Sequence, residues 1–184
     1  MKKYKWNRYK NMISFVFEVL FVVILAYIFV SYFGLRVSNA GDSMTPVIKN
    51  GDVVLVNRIL YDAKSPKRGD VVAFKPKGNK HAHYDIKRIV GMPGESVRIE
   101  KGKVYINGFE LKEKYRTKKI KDPGQVEETL RLKADEYFVL GDNAQMSRDS
   151  RDANYGTVRK KYLTGRAWIV VSPVKELHLI PQGE

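Results

Sequence analysis

The chain has 184 residues, no cysteine, and 34 basic against 20 acidic side chains, a formal charge of +14. That length supports one domain with a sizeable core, and the missing cysteines exclude a thiol nucleophile, a disulfide framework and any thiolate metal site. So basic a chain attracts lipid headgroups or nucleic acid; with no aromatic-basic RNA motif, zinc finger or helix-turn-helix signal, the expected partner is a bilayer with anionic headgroups and no nucleic acid.

Residues 1–10 carry Lys2, Lys3, Lys5, Arg8 and Lys10. From Asn11 to Leu35 the sole charge is Glu18, and the run ISFVFEVLFVVILAYIFVSYF is otherwise almost wholly apolar. About 20 apolar residues rising ~1.5 Å each suffice to cross a bilayer. Residues 11–35 are therefore predicted to be a transmembrane anchor, with residues 1–10 cytoplasmic by the positive-inside rule and residues 36–184 outside. Long domains translocate largely regardless of charge, so the basic character of residues 36–184 does not oppose this orientation. Glu18, near the cytoplasmic end, reads as a tolerated polar residue that reaches toward the headgroups or pairs with Lys10. Ser38-Asn39-Ala40 satisfies a small-x-small cleavage pattern, so processing after Ala40 is also consistent with the sequence. The apolar stretch exceeds the usual ~7–15 residue core of a cleavable signal, which favours a retained anchor.

After Gly41 the pattern changes to short runs rich in Val, Ile, Tyr and Phe, separated by Gly, Pro and Asn. Strands are predicted over Val53–Arg58, Asp70–Lys75, Ile86–Val90, Ser96–Glu100, Lys103–Ile106, Tyr137–Leu140 and Arg166–Val171. Lys101-Gly102 and Asn107-Gly108 are tight-turn signals, and Pro66, Pro76, Pro93 and Pro173 punctuate loops. No run after residue 40 sustains helical periodicity. The expected fold is mainly β: an antiparallel β domain following one N-terminal transmembrane helix. Residues 112–135 are charged and weakly patterned, and read as a variable surface excursion rather than core.

Three segments carry chemistry: GDSMTPVIKNGDVVLVNR (41–58), RGDVVAFK (68–75) continuing into YDIKRIVGMPGE (84–95), and GDNAQMSRDSR (141–151). In this order, behind a single anchor, they resemble the signature of bacterial type I signal peptidases, most nearly the short single-anchor Gram-positive form. The resemblance covers the anchor and most of residues 36–174, weakening over 112–135. It implies a membrane-bound serine endopeptidase that removes signal peptides from secretory preproteins after small residues at −1 and −3, with no cofactor or metal. Residue by residue, it implies Ser43 as nucleophile, Lys87 as general base, and Ser147 as the serine that orients the lysine. Asp142, Asp149 and Arg151 match polar residues supporting the site. Some relatives place a serine two residues before the nucleophile, where its hydroxyl helps hold the oxyanion. Here that position is Gly41, which leaves the Ser43 backbone N–H as the oxyanion donor and the second donor unassigned.

The residues are chemically suited to those roles. A neutral lysine amine can take a proton from a serine hydroxyl, but lysine's ordinary pKa is about 10.4, so the base must be shifted down. Burial does this, because desolvation penalises the ammonium, and Ile86, Ile89, Val90 and Met92 surround Lys87 in sequence. Strand alternation sends Lys87 to one face and Ile86 and Arg88 to the other, keeping the Arg88 guanidinium out of the base's pocket. In so basic a chain a strand lysine is ordinarily solvated; the company of Ser43 and the third segment singles out Lys87. Asp142, Asp149 and Arg151 would otherwise read as an Asx turn and a surface ion pair, and Ser150 has no matching role.

His81-Ala82-His83 alternates, but no third metal ligand follows by spacing. A Ser43–His83–Asp85 triad is conceivable, yet residues 77–85 are polar and loop-like, and His178 reads as a surface residue of the tail. A self-cleaving Ser/Lys repressor would need a DNA-binding helix-turn-helix where the apolar segment stands. A non-enzymatic membrane-surface scaffold would tolerate loss of Ser43 and Lys87. Pilin-type processing lies within the enzyme reading.

Overall fold

The computed structural model describes residues 2–115 and 119–183. Helix α1 runs from Lys2 to Phe33, and Lys10–Phe33 is long and apolar enough to cross a membrane. None of that stretch is buried against the rest of the molecule. Such an apolar face is stable only in a non-aqueous surrounding. Helix α1 ends two residues before the predicted span does. Gly34 N donates to Val30 O at 2.8 Å to close the last turn, and Leu35, expected in the membrane segment, already belongs to a strand.

The strands follow in chain order: β1 (Leu35–Ser38), β2 (Val53–Asn57), β3 (Val71–Phe74), β4 (Asp85–Gly91), β5 (Ser96–Glu100), β6 (Lys103–Ile106), β7 (Phe109–Glu110), β8 (Leu130–Arg131), β9 (Glu136–Leu140), β10 (Val158–Arg159), β11 (Leu163–Ser172) and β12 (His178–Leu179). A single-turn helix, α2 (Leu60–Ala63), follows β2. One sheet has the order β1-β2-β11-β3-β4-β9-β10, with β12 also pairing with β11; a smaller one has the order β7-β6-β5-β8. Every pairing is antiparallel. Lys101-Gly102 and Asn107-Gly108 both take positive φ at their two central positions. This is the backbone that closes a two-residue hairpin, here between Glu100 and Lys103 and between Ile106 and Phe109.

Alternation along β3 and β9 assembles the interior. Val71 and Ala73 join Met44, Val54, Val56, Ile86 and Ala167 in one cluster. Val72 and Phe74, on the opposite face, meet Ile89, Tyr137 and Val139 in another. Phe138 and Leu140 turn instead to the small sheet, packing with Val90, Val97 and Val104. Strands β4 and β9 thus hinge both sheets, and β4 carries Lys87 at this junction.

The segment 112–135 requires a correction. Ile120, Val126 and Leu132 are buried in the small-sheet cluster, Leu130–Arg131 pairs with β5, and Gly124–Val126 forms a 3-10 turn. Three well-spaced apolar residues cap the small sheet while the charges between them face water. The weak periodicity hid them because each side chain enters the core singly.

Candidate functional site

Ser43 sits in the turn-rich segment between β1 and β2, which side chains at its base hold in shape. The Asn39 amide donates to Gly41 O at 3.0 Å and Lys49 O at 2.9 Å. Asn50 Oδ1 accepts from Gly41 N at 2.9 Å, and Asp52 Oδ2 accepts from Lys49 N at 2.7 Å. Met44 and Ile48 are fully buried and plug this segment into the core. Ser43, the residue before Met44, is thereby fixed at the cleft wall with 8% of its surface exposed.

Lys87 lies in β4 opposite Val72 of β3 and is 5% exposed. Its Nζ is 2.9 Å from Ser43 Oγ and donates to Ile86 O at 3.2 Å. The lysine's proton affinity is lowered, chiefly by burial, against the opposing charges of Asp85, Asp149 and Asp142. A serine oxygen and an amine whose hold on its proton is weakened by burial therefore stand within one hydrogen bond, the geometry that an amine needs to accept the hydroxyl proton. They open onto a cleft of about 600 Å³ lined among others by Ala40, Asp42, Asp85, Met146, Arg148 and Tyr155.

The third segment is held in shape by its buried polar residues. Asp149 accepts from Arg151 Nε at 2.8 Å and Nη2 at 3.0 Å and from Gly141 N at 3.1 Å. Arg151 also donates to the carbonyls of Ala144 and Ser147, so the pair folds its own loop rather than decorating the surface. Ser150, to which the sequence assigned no role, is fully buried and accepts from Val139 N through its Oγ at 3.1 Å, fastening the loop to β9. Ser147 Oγ is buried and hydrogen-bonds to nothing among the described residues; the structure does not join it to Lys87. It packs where a Cβ on Gly141 would fall, 2.4 Å from that position, with Ser43 O equally close. Only glycine allows both segments to approach there.

Arg88 and Asp142 are joined in a way the sequence did not disclose. Arg88 projects away from Lys87, as alternation requires, but into the interior. At 2% exposed, its guanidinium grips Asp142 with Nε–Oδ1 2.8 Å and Nη2–Oδ2 2.7 Å. Nη1 donates to Gly69 O at 2.7 Å and Pro181 O at 2.8 Å, and the Tyr115 ring lies 3.8 Å from the guanidinium carbon. The residue after Asp142, Asn143, donates through its N–H to Ser43 O at 3.0 Å and through its amide to Thr45 Oγ1 at 3.0 Å. A closed circuit results: Ser43, Lys87, Arg88, Asp142, Asn143 and back to Ser43. Asn143 and Arg88 are the site residues that motif reading passed over.

His81 and His83 are exposed and do not line the cleft. The group within reach of Ser43 Oγ is Lys87, and Asp85 is engaged by Tyr155. His178 is exposed, its ring nitrogens 2.7 Å from Glu176 O and 2.9 Å from Val47 O.

Comparison with known proteins identifies the family. Residues 12–172 match the family described as signal peptidase, peptidase S26. The chain is 30% identical over 185 residues to a signal peptidase I S of Bacillus subtilis (strain 168), covering 96% of this chain and 98% of that one. It is 36% identical over 143 residues to a probable signal peptidase I-2 of Synechocystis sp., covering 75% of this chain and 63% of the relative's length. A crystal structure of a signal peptidase I from Enterococcus faecalis V583 aligns with a TM-score of 0.46 and 31% identity, over 56% of this chain and 97% of that chain. The chain belongs to the signal peptidase, peptidase S26 family and is a serine peptidase.

Proposed function

We propose that this chain is a membrane-anchored endopeptidase that removes signal peptides from secretory preproteins with a Ser43/Lys87 dyad, cutting after small residues at −1 and −3. The observation that carries the reading is the 2.9 Å contact between Ser43 Oγ and the Nζ of a lysine that is 5% exposed. Neutral Lys87 takes the Ser43 proton as Oγ attacks the scissile carbonyl, and the Ser43 N–H donates to the developing oxyanion. Lys87 then gives that proton to the leaving amine. The same lysine deprotonates the water that hydrolyses the acyl-enzyme. Asp142, Asp149 and Arg151 support the site through the loop they fold, and Ser147 packs beside the dyad.

The anchor supports the substrate class. Ser43 lies ten residues beyond Phe33, a span of at most ~36 Å even when extended, and Arg58 N donates to Tyr32 O at 3.2 Å, tying β2's end to the end of α1. The nucleophile stays near the bilayer face where a membrane-delivered cleavage site emerges. Basic residues 1–10 support an orientation with the N-terminus in the cytoplasm and the catalytic domain outside, and the chain's net positive charge supports contact with anionic headgroups. The decisive experiment is cleavage of a model preprotein by wild type, Ser43→Ala and Lys87→Ala, with the product's N-terminus sequenced. Either substitution abolishes turnover, and the double variant is little worse. More than a few per cent activity in Lys87→Ala would sink the assignment of the base. Protease added outside intact spheroplasts should digest residues beyond the anchor; protection would reverse the orientation.

A further inference from the structure

Three carboxylates bear on Lys87, and they are neutralised unequally. Asp142 is gripped by the Arg88 guanidinium at 2.8 and 2.7 Å, and Asp149 by Arg151 at 2.8 and 3.0 Å. Asp85 has a neutral partner instead: Tyr155 OH donates to its Oδ2 at 2.7 Å. Asp85 stands two residues before Lys87 on β4, and residues so spaced on a strand point to the same face. Both line the cleft with Ser43 and Tyr155. The uncompensated carboxylate is thus the one that shares the base's wall, and it is the first of the charges opposing the effect of burial on Lys87.

Tyr155 is built to hold it. Its ring meets Phe74 edge-on, with centroids 6.3 Å apart and planes at 82°. Burial, with the charge of Asp85 next, pushes the phenol far above its ordinary range, so the hydroxyl keeps its proton and remains a donor. The charged groups facing Lys87 are Asp85 on its own strand and Asp142 and Asp149 on the loop after β9; Asp42, Lys77 and Arg148 line the remaining wall of the cleft.

We propose that Asp85 and Tyr155 act as a positioning pair for the base, in which the Tyr155 hydroxyl holds the Asp85 carboxylate off Lys87 and so governs how readily Lys87 sheds its proton. A free carboxylate would turn toward the ammonium and stabilise it, leaving fewer neutral lysines at a given pH. Hydrogen-bonded to Tyr155, the same carboxylate has part of its charge spread onto a donor and its orientation fixed. The inference rests on Lys87 being the general base.

The experiment is a pH–rate profile of kcat/KM for the full chain in detergent micelles on a peptide substrate, comparing wild type, Asp85→Asn, Tyr155→Phe, the double variant and Lys87→Ala. Both single substitutions preserve shape, and thermal melts identify any variant that is not folded. Asp85→Asn should move the rising limb to lower pH, because an anion favouring the ammonium is gone. Tyr155→Phe should move it to higher pH. The double variant should coincide with Asp85→Asn, because the hydroxyl then has no carboxylate to hold. Limbs that stay put, move together, or shift equally for Tyr155→Phe with and without Asp85 overturn the proposal. Lys87→Ala separates the two levels of the argument: substantial activity there defeats the base assignment, whereas an inactive Lys87→Ala beside an unmoved Asp85→Asn limb defeats only the positioning pair. A readout independent of turnover is the pH dependence of Lys87 labelling by a small amine-reactive reagent in the Ser43→Ala chain. Labelling should begin at lower pH with Asp85→Asn and at higher pH with Tyr155→Phe; unchanged onset in both overturns the inference even if a variant turns over poorly.

Discussion

Replacing Arg88 by methionine should both loosen the domain and disable the site. The guanidinium is 2% exposed and the Asp142 side chain 1%, so removing one partner strands a carboxylate in the interior, shielded from bulk solvent and without its cation. Breaking a buried ion pair in this way costs about 3–5 kcal/mol. For a chain of this size each kcal/mol lowers Tm by about 2–4 °C, so Arg88→Met should melt roughly 6–20 °C below wild type by circular dichroism. The lost contacts also open the circuit from Lys87 through Asp142 and Asn143 to Ser43. A displacement on the order of 1 Å between nucleophile and base costs about 10²-fold, and kcat/KM measured well below the variant's Tm should fall by about that factor. Arg88→Met combined with Asp142→Leu removes both charges and should recover much of the lost Tm while leaving activity low, because Asn143 is no longer held against Ser43. A single variant melting within about 2 °C of wild type would refute the stranded-charge argument. Full activity in the double variant would refute the circuit.

Three further outcomes are expected. The wild-type kcat/KM should rise with pH through a lysine value held below the ordinary range by burial; His81→Ala and His83→Ala should leave that limb in place, and Lys87→Arg should be inactive because guanidinium keeps its proton. Lys87→Met should raise Tm near neutral pH. A folded-state value depressed below the unfolded one means the unfolded chain binds the extra proton, so the wild type's lysine penalty is full below the lowered value, shrinks as pH rises, and vanishes above about 10.4; a variant advantage that grows with pH would contradict the sign. Leu132→Ala should cost about 2–5 kcal/mol by leaving a cavity under the small sheet, whereas the exposed Glu128→Ala should stay within about 0.5 kcal/mol; equal denaturant midpoints for the two would return residues 112–135 to the surface.

Local pattern made much of this molecule legible. A long apolar run bounded by basic residues specified α1, because backbone polar groups in a bilayer must be satisfied within the helix. Lys101-Gly102 and Asn107-Gly108 specified their hairpins because the required positive φ is a property of two adjacent residues. The seven strands predicted between Val53 and Val171 match β2, β3, β4, β5, β6, β9 and β11 to within a few residues, because side-chain alternation is local, whereas β7, β8 and β10 in the same range were not predicted. Short strands such as β1 and β12 were not either, since they exist only by pairing with β2 and β11. Ser43 and Lys87 were identified as candidates through their motifs; that they meet at 2.9 Å across 44 residues of chain is a result of tertiary structure.

The same limit explains Arg88 and Asp85. Alternation correctly put Arg88 on the face opposite Lys87, but it says which way a side chain points and not what lies over it. The cover comes from Tyr115, Asp142 and the carbonyl of Pro181, the last 93 residues away, and it turns an apparently ordinary strand arginine into the clamp on Asp142. The sequence left Asp85 at the end of a polar, loop-like stretch; only the folded chain puts it on β4 two residues before Lys87 and decides that Asp142 and Asp149 meet arginines while Asp85 meets Tyr155, 70 residues on. Sequence by itself determined the anchor, the β character and the chemical candidates, since each is encoded in neighbours along the chain. Which charges are buried, and which partner neutralises each of them, was decided by tertiary structure alone, because desolvation and pairing depend on groups that only folding brings within a few ångströms.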